Sequence, residues 1–522
     1  MPADAGGLGF VRNTCFFLEA IECDEWHGRT ADPVTEIPMR LGELCFPRDA
    51  VEEFAKWSGD RNPLHLDADY ASKSQFGQTI VHGVLVSLRA IELWLFQAGA
   101  SAPHGLSEIS ATFMKPVFSG ELLVVHSENQ KGGRVRLSVE ADGTVLVRIA
   151  IREQGARNPV EDWDAPFDRS LFPASPLPFD GATIATRRGD MKLQADVSLM
   201  QRQLPRLVDL LGSRAVAGLS LLSTIVGMEC PGERSLLTEY RARLRSRSDG
   251  AHDSIHYRVT YADLSKNFVT LDADGPDCSA SVTAFVRPDS VKQPSVRELS
   301  DLVDPREFVG ETVVVVGGSR GLGEVSAKLL ALGGARVLLT YRNRAEDAER
   351  VADEIREAGF PCATIKWDAQ DRAALLAVDG YECPTMLLYF ASPHIFRRRT
   401  KPYSPVLFAE YTAVYVDALA KLVEQFGASN NRMAILFPST SMLDGDPNLA
   451  LEYAMAKAAG ETYCTGMAVE NTQLVFELPR LPRVLTDQTN TVVQASSAQA
   501  SVVLLPVLRR MRQQRMVDDS SS

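Results

Sequence analysis

The period of hydrophobic and polar positions divides the chain into blocks. In each of the first two blocks, one long apolar segment precedes several runs in which apolar and polar residues alternate. The apolar segments are IVHGVLVSLRAIELWLFQAG and SRAVAGLSLLSTIVGM. A continuous apolar segment predicts a buried helix, and alternation predicts half-buried strands. An antiparallel sheet can wrap around such a helix and bury its apolar face, so both blocks predict the same α+β unit.

The third block alternates apolar strands with amphipathic helices, which predicts an α/β Rossmann fold with a doubly wound parallel sheet. Two segments rich in proline, aspartate and serine separate the blocks. We place the blocks at residues 1–155, 190–288 and 305–522, with linkers at 156–190 and 289–304.

Composition excludes several function classes. The net charge of -12 argues against attraction to nucleic acid or to an anionic membrane. We expect no membrane span and no signal peptide, because the longest apolar candidate, AVAGLSLLSTIVGM, is short and the start MPADAGGLGF lacks a basic region. The eight cysteines show no CxxC pair, which predicts reduced thiols, a cytoplasmic protein and no metal site.

The stretch WSGDRNPLHLD combines an aspartate, Asp60, with a histidine, His65, just before the first apolar segment. Pro63 restricts Asn62 to extended conformations, so the loop can turn both side chains toward one cavity. A histidine can exchange a proton near neutral pH, and a carboxylate can hold a second one. The alternative is that Asp60 is a turn residue and His65 a buried structural histidine.

Three ordered segments, FAKWSGDRNPLHLDADYA, FGQTIVHGVLV and FMKPVFSGELL, resemble the MaoC-like (R)-specific enoyl hydratases and dehydratases, which have the hotdog fold. The resemblance implies that Asp60 and His65 are the catalytic pair and that Asn62 shapes their loop. Free N–H groups at the start of the next helix, around Gly83, can stabilise an enolate oxygen. His82 has an open role, because a structural function is at least as plausible.

The second block lacks this loop, since DLLGSRAVAGL contains no Asp-His pair. We therefore expect a double hotdog with a catalytic first half and a degenerate second half. Its widened groove would accept a longer acyl chain. Eukaryotic (R)-specific enoyl hydratases have this arrangement with the active half second, so the order here is reversed.

In the third block, TVVVVGGSRGLGEVSAKLLALGG is a strand, a glycine-rich turn and a helix, which is the context that phosphate binding requires. This segment, VLLTYRNRAEDAERVADEIREAG, WDAQD and YAMAK resemble the short-chain dehydrogenase/reductase family. The resemblance implies cofactor contacts by the following residues: Gly317, Ser319, Arg320, Gly321, Leu322, Gly323, Arg342, Asp368, Ser392, Tyr453 and Lys457.

Tyr453 and Lys457 are four residues apart and so share a helix face. A nearby ammonium lowers the pKa of a tyrosine, and we expect Tyr453 to donate a proton to a reduced ketone. Ser439, directly after the strand AILFP, is the expected carbonyl-binding hydroxyl, with Ser441 as the alternative.

Arg320 and Arg342 favour NADPH, because guanidinium groups suit a 2′-phosphate where an NAD enzyme places an acid. Arg342 can instead be a solvated helix-start residue. Two departures from the family stand out. The segment YFASP, with Ser392, replaces NNAG, and the helix asparagine of the proton relay corresponds to Asp417.

Ketone reduction yields the hydroxyacyl thioester that dehydration consumes, so we expect a bifunctional 3-ketoacyl reductase and (R)-3-hydroxyacyl dehydratase of fatty-acid or polyketide synthesis. Alternatives are a hydratase-dehydrogenase of acyl-CoA breakdown and a scaffold without turnover. The acyl group would be attached to coenzyme A or to an acyl-carrier protein. The basic run IFRRRTK, with Arg397, Arg398 and Arg399, would bind that carrier. We also expect a homodimer through the reductase domain.

Overall fold

The computed structural model describes residues 38–155, 163, 167–245, 253–369, 378–395, 403–427, 431–445, 450–490 and 496–516. The predicted docking residues Arg397, Arg398 and Arg399 lie outside these ranges. The chain forms two compact units, with the boundary between Asp289 and Ser290.

Within its described residues, the first unit contains one antiparallel sheet of ten strands, in the order β1-β3-β4-β5-β2-β7-β10-β9-β8-β6. The strands are β1 (Met39–Cys45), β2 (Gly105–Phe113), β3 (Leu122–Gln130), β4 (Arg134–Ala141), β5 (Thr144–Gln154), β6 (Arg188–Lys192), β7 (Ser235–Leu244), β8 (Ser254–Asp263), β9 (Phe268–Asp274) and β10 (Cys278–Val286). Strands β2 and β7 pair in the middle, with Ala111 opposite Tyr240. The two predicted blocks therefore share a single sheet.

Two long apolar helices, one from each block, lie in the core of this unit. The helices are α1 (Arg48–Ser58), α2 (Pro63–Leu66), α3 (Ala68–Ser72), α4 (Gly83–Ala98), α5 (Val197–Gln203), α6 (Pro205–Leu211) and α7 (Ser213–Thr224), which continues as a π-helix over Ile225–Glu229. Helices α4 and α7 match the predicted apolar segments, and every residue of α7 except Arg214 is buried. We refer to residues 39–154 and 188–286 as the first and second halves of this unit.

The segment Gly83–Ser101 is long and apolar enough to span a membrane, contrary to the expectation from sequence. Of that window, 56% is buried inside the protein, as in an ordinary core helix. Among the described residues, the two helical segments Pro205–Leu211 and Ser213–Glu229, which are bent relative to each other, are also long and apolar enough to span a membrane when they are counted as one segment. Both findings are weak indications of a membrane.

The second unit contains a parallel sheet, for which the described residues give six strands in the order β13-β12-β11-β14-β15-β17. They are β11 (Thr312–Val316), β12 (Arg336–Tyr341), β13 (Cys362–Lys366), β14 (Met386–Tyr389), β15 (Met433–Leu436) and β17 (Leu474–Glu477). A short parallel pair adds β16 (Ser439–Thr440) and β18 (Arg480–Leu481). This order confirms the predicted doubly wound Rossmann sheet.

Helices cover both faces of the parallel sheet. They are α8 (Val296–Leu299), α9 (Gly321–Leu332), α10 (Ala345–Glu357), α11 (Pro405–Thr412), which continues as a π-helix over Ala413–Ala418, α12 (Leu419–Gly427), α13 (Leu451–Glu470) and α14 (Ala500–Met516). Along β11, Val313 and Val315 enter one hydrophobic cluster, and Val314 and Val316 enter the other. A strand buried on both faces explains the continuous apolar run TVVVV.

Candidate active sites

The loop between α1 and α2 carries Asp60. Helix α1 ends because Gly59 adopts a left-handed conformation, with φ of 85°. Asn62 then caps α2, since its side-chain oxygen accepts from the Leu64 N–H at 3.1 Å, and Pro63 occupies the first turn. His65 therefore lies on a short helix, one turn after the loop, and not in the loop itself.

The amide group of Asn62 anchors this loop to the second half of the unit. Its Nδ2 lies 2.8 Å from the carbonyl oxygen of Gly227, 3.2 Å from that of Gly232 and 3.3 Å from that of Glu233. Asn62 thus shapes the loop, as predicted. It does so through residues that follow α7 as well as through its own helix cap.

The Asp60 carboxylate is buried, and each of its oxygens accepts a hydrogen bond. Oδ1 accepts from the Asn62 N–H at 3.2 Å, and Oδ2 accepts from the Ser223 hydroxyl at 2.6 Å. Gly227 packs against the same carboxylate, and a Cβ at that position would lie 2.3 Å from Oδ1. Burial raises the pKa of Asp60, whereas His65 and the Ser223 hydrogen bond oppose the shift.

His65 has a defined tautomer. Its Nδ1 lies 2.8 Å from the carbonyl oxygen of Ile80, which can only accept, so Nδ1 carries the hydrogen and Nε2 keeps its lone pair. Burial lowers the pKa of His65, Asp60 counteracts this, and the positive charge of Arg287 lowers it further. The site therefore presents a neutral imidazole with a free basic nitrogen.

His82 stacks on His65, with ring centroids 3.9 Å apart and planes inclined by 30°. Its Nε2 donates to the carbonyl oxygen of Asp60 at 3.1 Å, and its Nδ1 is buried without a partner among the described residues. Burial holds the pKa of His82 well below its ordinary value. His82 thus supports both members of the pair, which favours the structural interpretation.

Asp60, His65 and His82 have ligand atoms close enough together for a metal ion. However, Ser223 and the Asn62 N–H already occupy the carboxylate. The Nδ1 of His65 and the Nε2 of His82 are likewise engaged, with the carbonyl oxygens of Ile80 and Asp60. The arrangement suits proton exchange better than metal coordination.

Asp60 and His65 line the same cavity. Its walls are largely apolar and come from both halves of the sheet, as the following lining residues illustrate: Leu64, Phe76, Ile80, Val86, Phe113, Val117, Val147, Val226, Leu236 and Leu237. Gly83 lines it at the start of α4, where no described side chain caps the helix. A Cβ on Gly83 would lie 2.9 Å from the Phe113 ring, so a larger residue would displace that ring.

In the second unit, the glycine-rich turn leads from β11 into α9. Gly317 and Gly321 have φ of 76° and 59°, and a Cβ on Gly323 would lie 2.2 Å from the Gly317 carbonyl oxygen. Helix α9 begins at Gly321 without a side-chain cap from the described residues. Free N–H groups and a close backbone approach fit the pyrophosphate of a dinucleotide. The adjacent Ser319 and Leu322 are half-buried.

The two arginines expected at the 2′-phosphate each face a carboxylate. Arg342 Nε lies 2.8 Å from Asp368 Oδ2, and Arg320 Nη1 lies 3.5 Å from Asp487 Oδ2. Arg342 and Asp368, predicted separately, are therefore neighbours at the carboxyl ends of β12 and β13.

Tyr453 and Lys457 lie on α13, and both are buried. Lys457 Nζ donates to the Pro438 carbonyl oxygen at 2.7 Å. It also lies 3.9 Å from the ring centroid of Tyr415, 4.5 Å from that of Phe437 and 5.9 Å from that of Tyr453. Burial lowers the pKa of Lys457 to about 7.

Comparisons with known proteins agree with this geometry. Residues 24–148 match the MaoC like domain, and residues 311–379 match the short chain dehydrogenase family. The chain joins a MaoC-like dehydratase domain to a short-chain dehydrogenase domain.

A curated relative of the MaoC-like domain is the 3-hydroxyacyl-thioester dehydratase Y of Mycobacterium tuberculosis, 34% identical over 27% of this chain and 44% of that protein. On the dehydrogenase side, the uncharacterized oxidoreductase YgfF of Escherichia coli is 27% identical over 30% of this chain and 68% of that protein. The hydroxynaphthalene reductase-like protein Arp2 of Metarhizium guizhouense is also 27% identical, over 32% of this chain and 64% of that protein. The chain thus spans less than two thirds of two of these relatives.

Two solved structures match the short-chain dehydrogenase domain. A short-chain dehydrogenase/reductase from Serratia marcescens is 26% identical over 37% of this chain and 80% of that chain, with a TM-score of 0.34. A short chain dehydrogenase from Burkholderia cenocepacia in complex with NADP is 22% identical over 40% and 94%, with a TM-score of 0.36.

In the MaoC-like domain, the structure brings Asp60, His65 and Gly83 to one cavity, as the motif predicted. Ser223 was missed, although its hydroxyl contacts the carboxylate directly. It stands in the apolar segment SRAVAGLSLLSTIVGM among other serines, and nothing local distinguishes it from them. Only the pairing of the two halves shows which serine approaches Asp60.

In the dehydrogenase domain, the expected lowering of the Tyr453 pKa by Lys457 is wrong. Burial raises the pKa of Tyr453 to about 12, and the Lys457 ammonium donates to the Pro438 carbonyl oxygen. The hydrogen-bonding side chain that does lower the pKa of Tyr453 is Thr440. Ser439 is buried next to Thr440 on β16, and the catalytic role of Ser439 stays a prediction.

The helix residue expected in the proton relay, Asp417, is exposed on the π-helix, and its role stays a prediction. Tyr415, on the same π-helix, is fully buried, with its ring centroid 5.7 Å from that of Tyr453. The Tyr415 hydroxyl lies 2.6 Å from the Ser392 hydroxyl. An α-helical pattern in the sequence does not predict this π-helical turn.

Proposed function

We propose that this chain is a bifunctional enzyme that reduces 3-ketoacyl thioesters with NADPH and dehydrates the resulting (R)-3-hydroxyacyl thioesters. The observation that carries the proposal is a half-buried His65 with free Nε2 beside Asp60, in an apolar cavity, on the same chain as Tyr453 and Lys457. The product of reduction is the substrate of dehydration, so one chain would complete two consecutive steps.

In the dehydration step, His65 Nε2 takes the proton from C2 of the substrate. The C2–C3 double bond forms, the C3–O bond breaks, and the hydroxyl leaves as water with the proton of Asp60. Burial makes both charged forms unfavourable, since it lowers the pKa of His65 and raises the pKa of Asp60. Dehydration starts from the form in which His65 is neutral and Asp60 carries a proton, and burial shifts both groups toward that form.

The negative charge that develops on the thioester oxygen needs preorganised donors. The N–H groups at the start of α4 are suited to this role because no described side chain caps them and Gly83 leaves space. Ser223 donates to Asp60 Oδ2 and so stabilises the carboxylate that forms as the proton of Asp60 leaves.

The first unit is best interpreted as a double hotdog, in which α4 and α7 are the two central helices. The second half has no Asp-His pair of its own, yet it supplies Ser223 and Gly227 to the carboxylate and three carbonyls to Asn62. Its role would be to complete the single active site and to form one wall of the acyl cavity.

For ketone reduction, the glycine turn before α9 would hold the pyrophosphate, and Arg320 and Arg342 would hold the 2′-phosphate. A bound NADPH would supply the hydride. Tyr453 would donate the proton to the ketone oxygen, and its raised pKa, about 12, keeps that proton in place until the oxygen becomes basic. Thr440 or Ser439 would hold the ketone.

A second candidate function follows from the enclosure of Lys457. Tyr415 and Phe437 cover its ammonium, and Tyr415 and Ser392 bond to each other where the family has different residues. These departures favour a dehydrogenase domain that binds NADPH and the thioester without reducing it. The dehydratase would then act alone on a hydroxyacyl thioester made elsewhere.

Separate assays of the two half-reactions distinguish these candidates. One measures NADPH oxidation with a 3-ketoacyl-CoA, and the other measures reversible hydration of a trans-2-enoyl-CoA. Each is repeated with the same acyl group on a carrier protein. The bifunctional proposal expects both activities, with His65→Gln abolishing only the second. Hydration without any NADPH oxidation would favour the second candidate, and loss of both would refute the proposal.

A further inference from the structure

Arg287 directly follows the last strand of the first unit and is 5% exposed. Its Nε donates to the Ser235 carbonyl oxygen at 3.2 Å, and its Nη2 donates to the Glu233 carbonyl oxygen at 2.6 Å and to the Tyr70 hydroxyl at 3.0 Å. Among the residues that the structure describes, all of its hydrogen-bond partners are neutral, and no carboxylate pairs with it. A buried cation without a counter-charge is unusual, because buried charges are ordinarily paired.

This guanidinium lies just behind the wall of the Asp60–His65 cavity. Ser235, whose carbonyl it binds, lines the cavity. Tyr70, whose ring centroid is 5.4 Å from the guanidinium carbon, packs against the cluster formed by Leu64, Phe76 and Ile80, which lines the cavity as well. A charge in so little water is weakly screened and acts at longer range than a surface charge.

We propose that Arg287 is a positioning residue of the dehydratase: its unpaired buried charge opposes protonation of His65 and favours the enolate that forms in the cavity. The inference rests on the proposed function for its catalytic consequence. A neutral imidazole is the form that can take a proton, and a fixed positive potential stabilises a developing anion without reorganisation.

The charged and titratable groups facing His65 have opposing effects. The Asp60 carboxylate raises the pKa of His65, whereas burial and Arg287 lower it. His82 is stacked on the ring, and Lys115 lines the cavity from the segment after β2. Arg287 is thus the described side chain that acts together with burial against the effect of Asp60 on His65.

The test compares Arg287→Gln with Arg287→Lys, which keeps the charge. The acid limb of the kcat/KM profile for dehydration reports His65. We expect Arg287→Gln to move the acid limb to higher pH by roughly one unit. This is the effect of removing a unit charge on the order of 10 Å away at an effective dielectric constant of about 20. Arg287→Lys should restore the parent profile.

Two control variants separate charge from bracing. Arg234→Gln removes a neighbouring cation that donates to the Arg287 carbonyl oxygen at 2.6 Å and pairs with Asp289. Tyr70→Phe weakens the brace to Arg287 and keeps the charge. Both should leave the acid limb in place. If Arg287→Gln only lowers activity, in parallel at every pH, Arg287 is a structural brace and the proposal is overturned.

A direct titration makes the outcome independent of turnover. In the full chain labelled at the histidine ring carbons, the signal missing from His65→Gln identifies His65, and its shift against pH gives its pKa. The pKa must lie below 6.5, the ordinary value, in the unmodified protein and rise in Arg287→Gln. A value at or above 6.5 overturns the inference even if Arg287→Gln does not fold. Titration as expected without any dehydration would refute the proposed function and leave the electrostatic inference standing.

Discussion

Replacing Ser223 with alanine tests whether the second half of the MaoC-like domain takes part in catalysis. The Ser223 hydroxyl donates to Asp60 Oδ2 at 2.6 Å, and both side chains are buried. The substitution removes one oxygen atom and adds no volume. It leaves the Asn62 N–H as the remaining described donor, so the carboxylate that forms during dehydration loses one of its two described hydrogen bonds.

A hydrogen bond to a charged group contributes about 1.5–3 kcal/mol. The interaction is strongest when Asp60 is ionised, which in the proposed mechanism is late in proton transfer. Dehydration by Ser223→Ala should therefore fall roughly 10- to 150-fold in kcat, with a smaller change in KM. Since Ser223 lowers the pKa of Asp60, its loss should also move the alkaline limb of the profile to higher pH.

Ser220→Ala is the matched control. Ser220 is a buried serine on the same helix, but its hydroxyl donates to the Ala217 carbonyl oxygen of that helix at 2.8 Å. The assay is hydration of a trans-2-enoyl-CoA, followed by absorbance across the pH range, alongside thermal unfolding of each variant. Equal losses in the two variants, or an unmoved alkaline limb in Ser223→Ala, would refute the assigned role.

Three further predictions concern single positions. Gly227→Ala should reduce dehydration at least ~100-fold, because its Cβ would lie 2.3 Å from Asp60 Oδ1, whereas Gly218→Ala on α7, with 3.4 Å to its nearest neighbour, should stay active. Equal activity of the two variants in the enoyl-CoA assay would contradict this. Tyr453→Phe should abolish ketone reduction and leave NADPH binding, measured by fluorescence, within about twofold; a parallel loss of binding would indicate a folding role. Arg342→Ala should weaken NADPH at least tenfold more than NADH in calorimetric titration, since a charge-assisted contact contributes a few kcal/mol, and an unchanged ratio would place Arg342 outside the pocket.

Sequence predicted those parts of the structure that short segments determine. The run TVVVV, buried on both faces, and the glycines that follow it specify a strand, a turn and a helix, and these elements are present. The break that Asn62 and Pro63 introduce after Asp60 was also predicted, although the short helix that begins at Pro63 was not.

Features that depend on long-range pairing could not be predicted. Ser223 reaches Asp60 across more than 160 residues because β2 and β7 join the two halves in one sheet, which no local pattern encodes. Tyr415 contacts Lys457 from a π-helical turn, which an α-helical pattern in the sequence does not predict. The pKa of Tyr453 rises because of burial, and burial is a property of the assembled core.

The most direct test of the central claim is one incubation of the full chain with a 3-ketoacyl-CoA and NADPH, followed over time by mass spectrometry of the acyl group. The account predicts that the ketoacyl species gains two hydrogens and then loses water, giving the hydroxyacyl and enoyl thioesters in that order. In His65→Gln, the hydroxyacyl species should accumulate. An acyl group that stays unchanged in the parent protein, on coenzyme A and on carrier protein alike, would contradict the account.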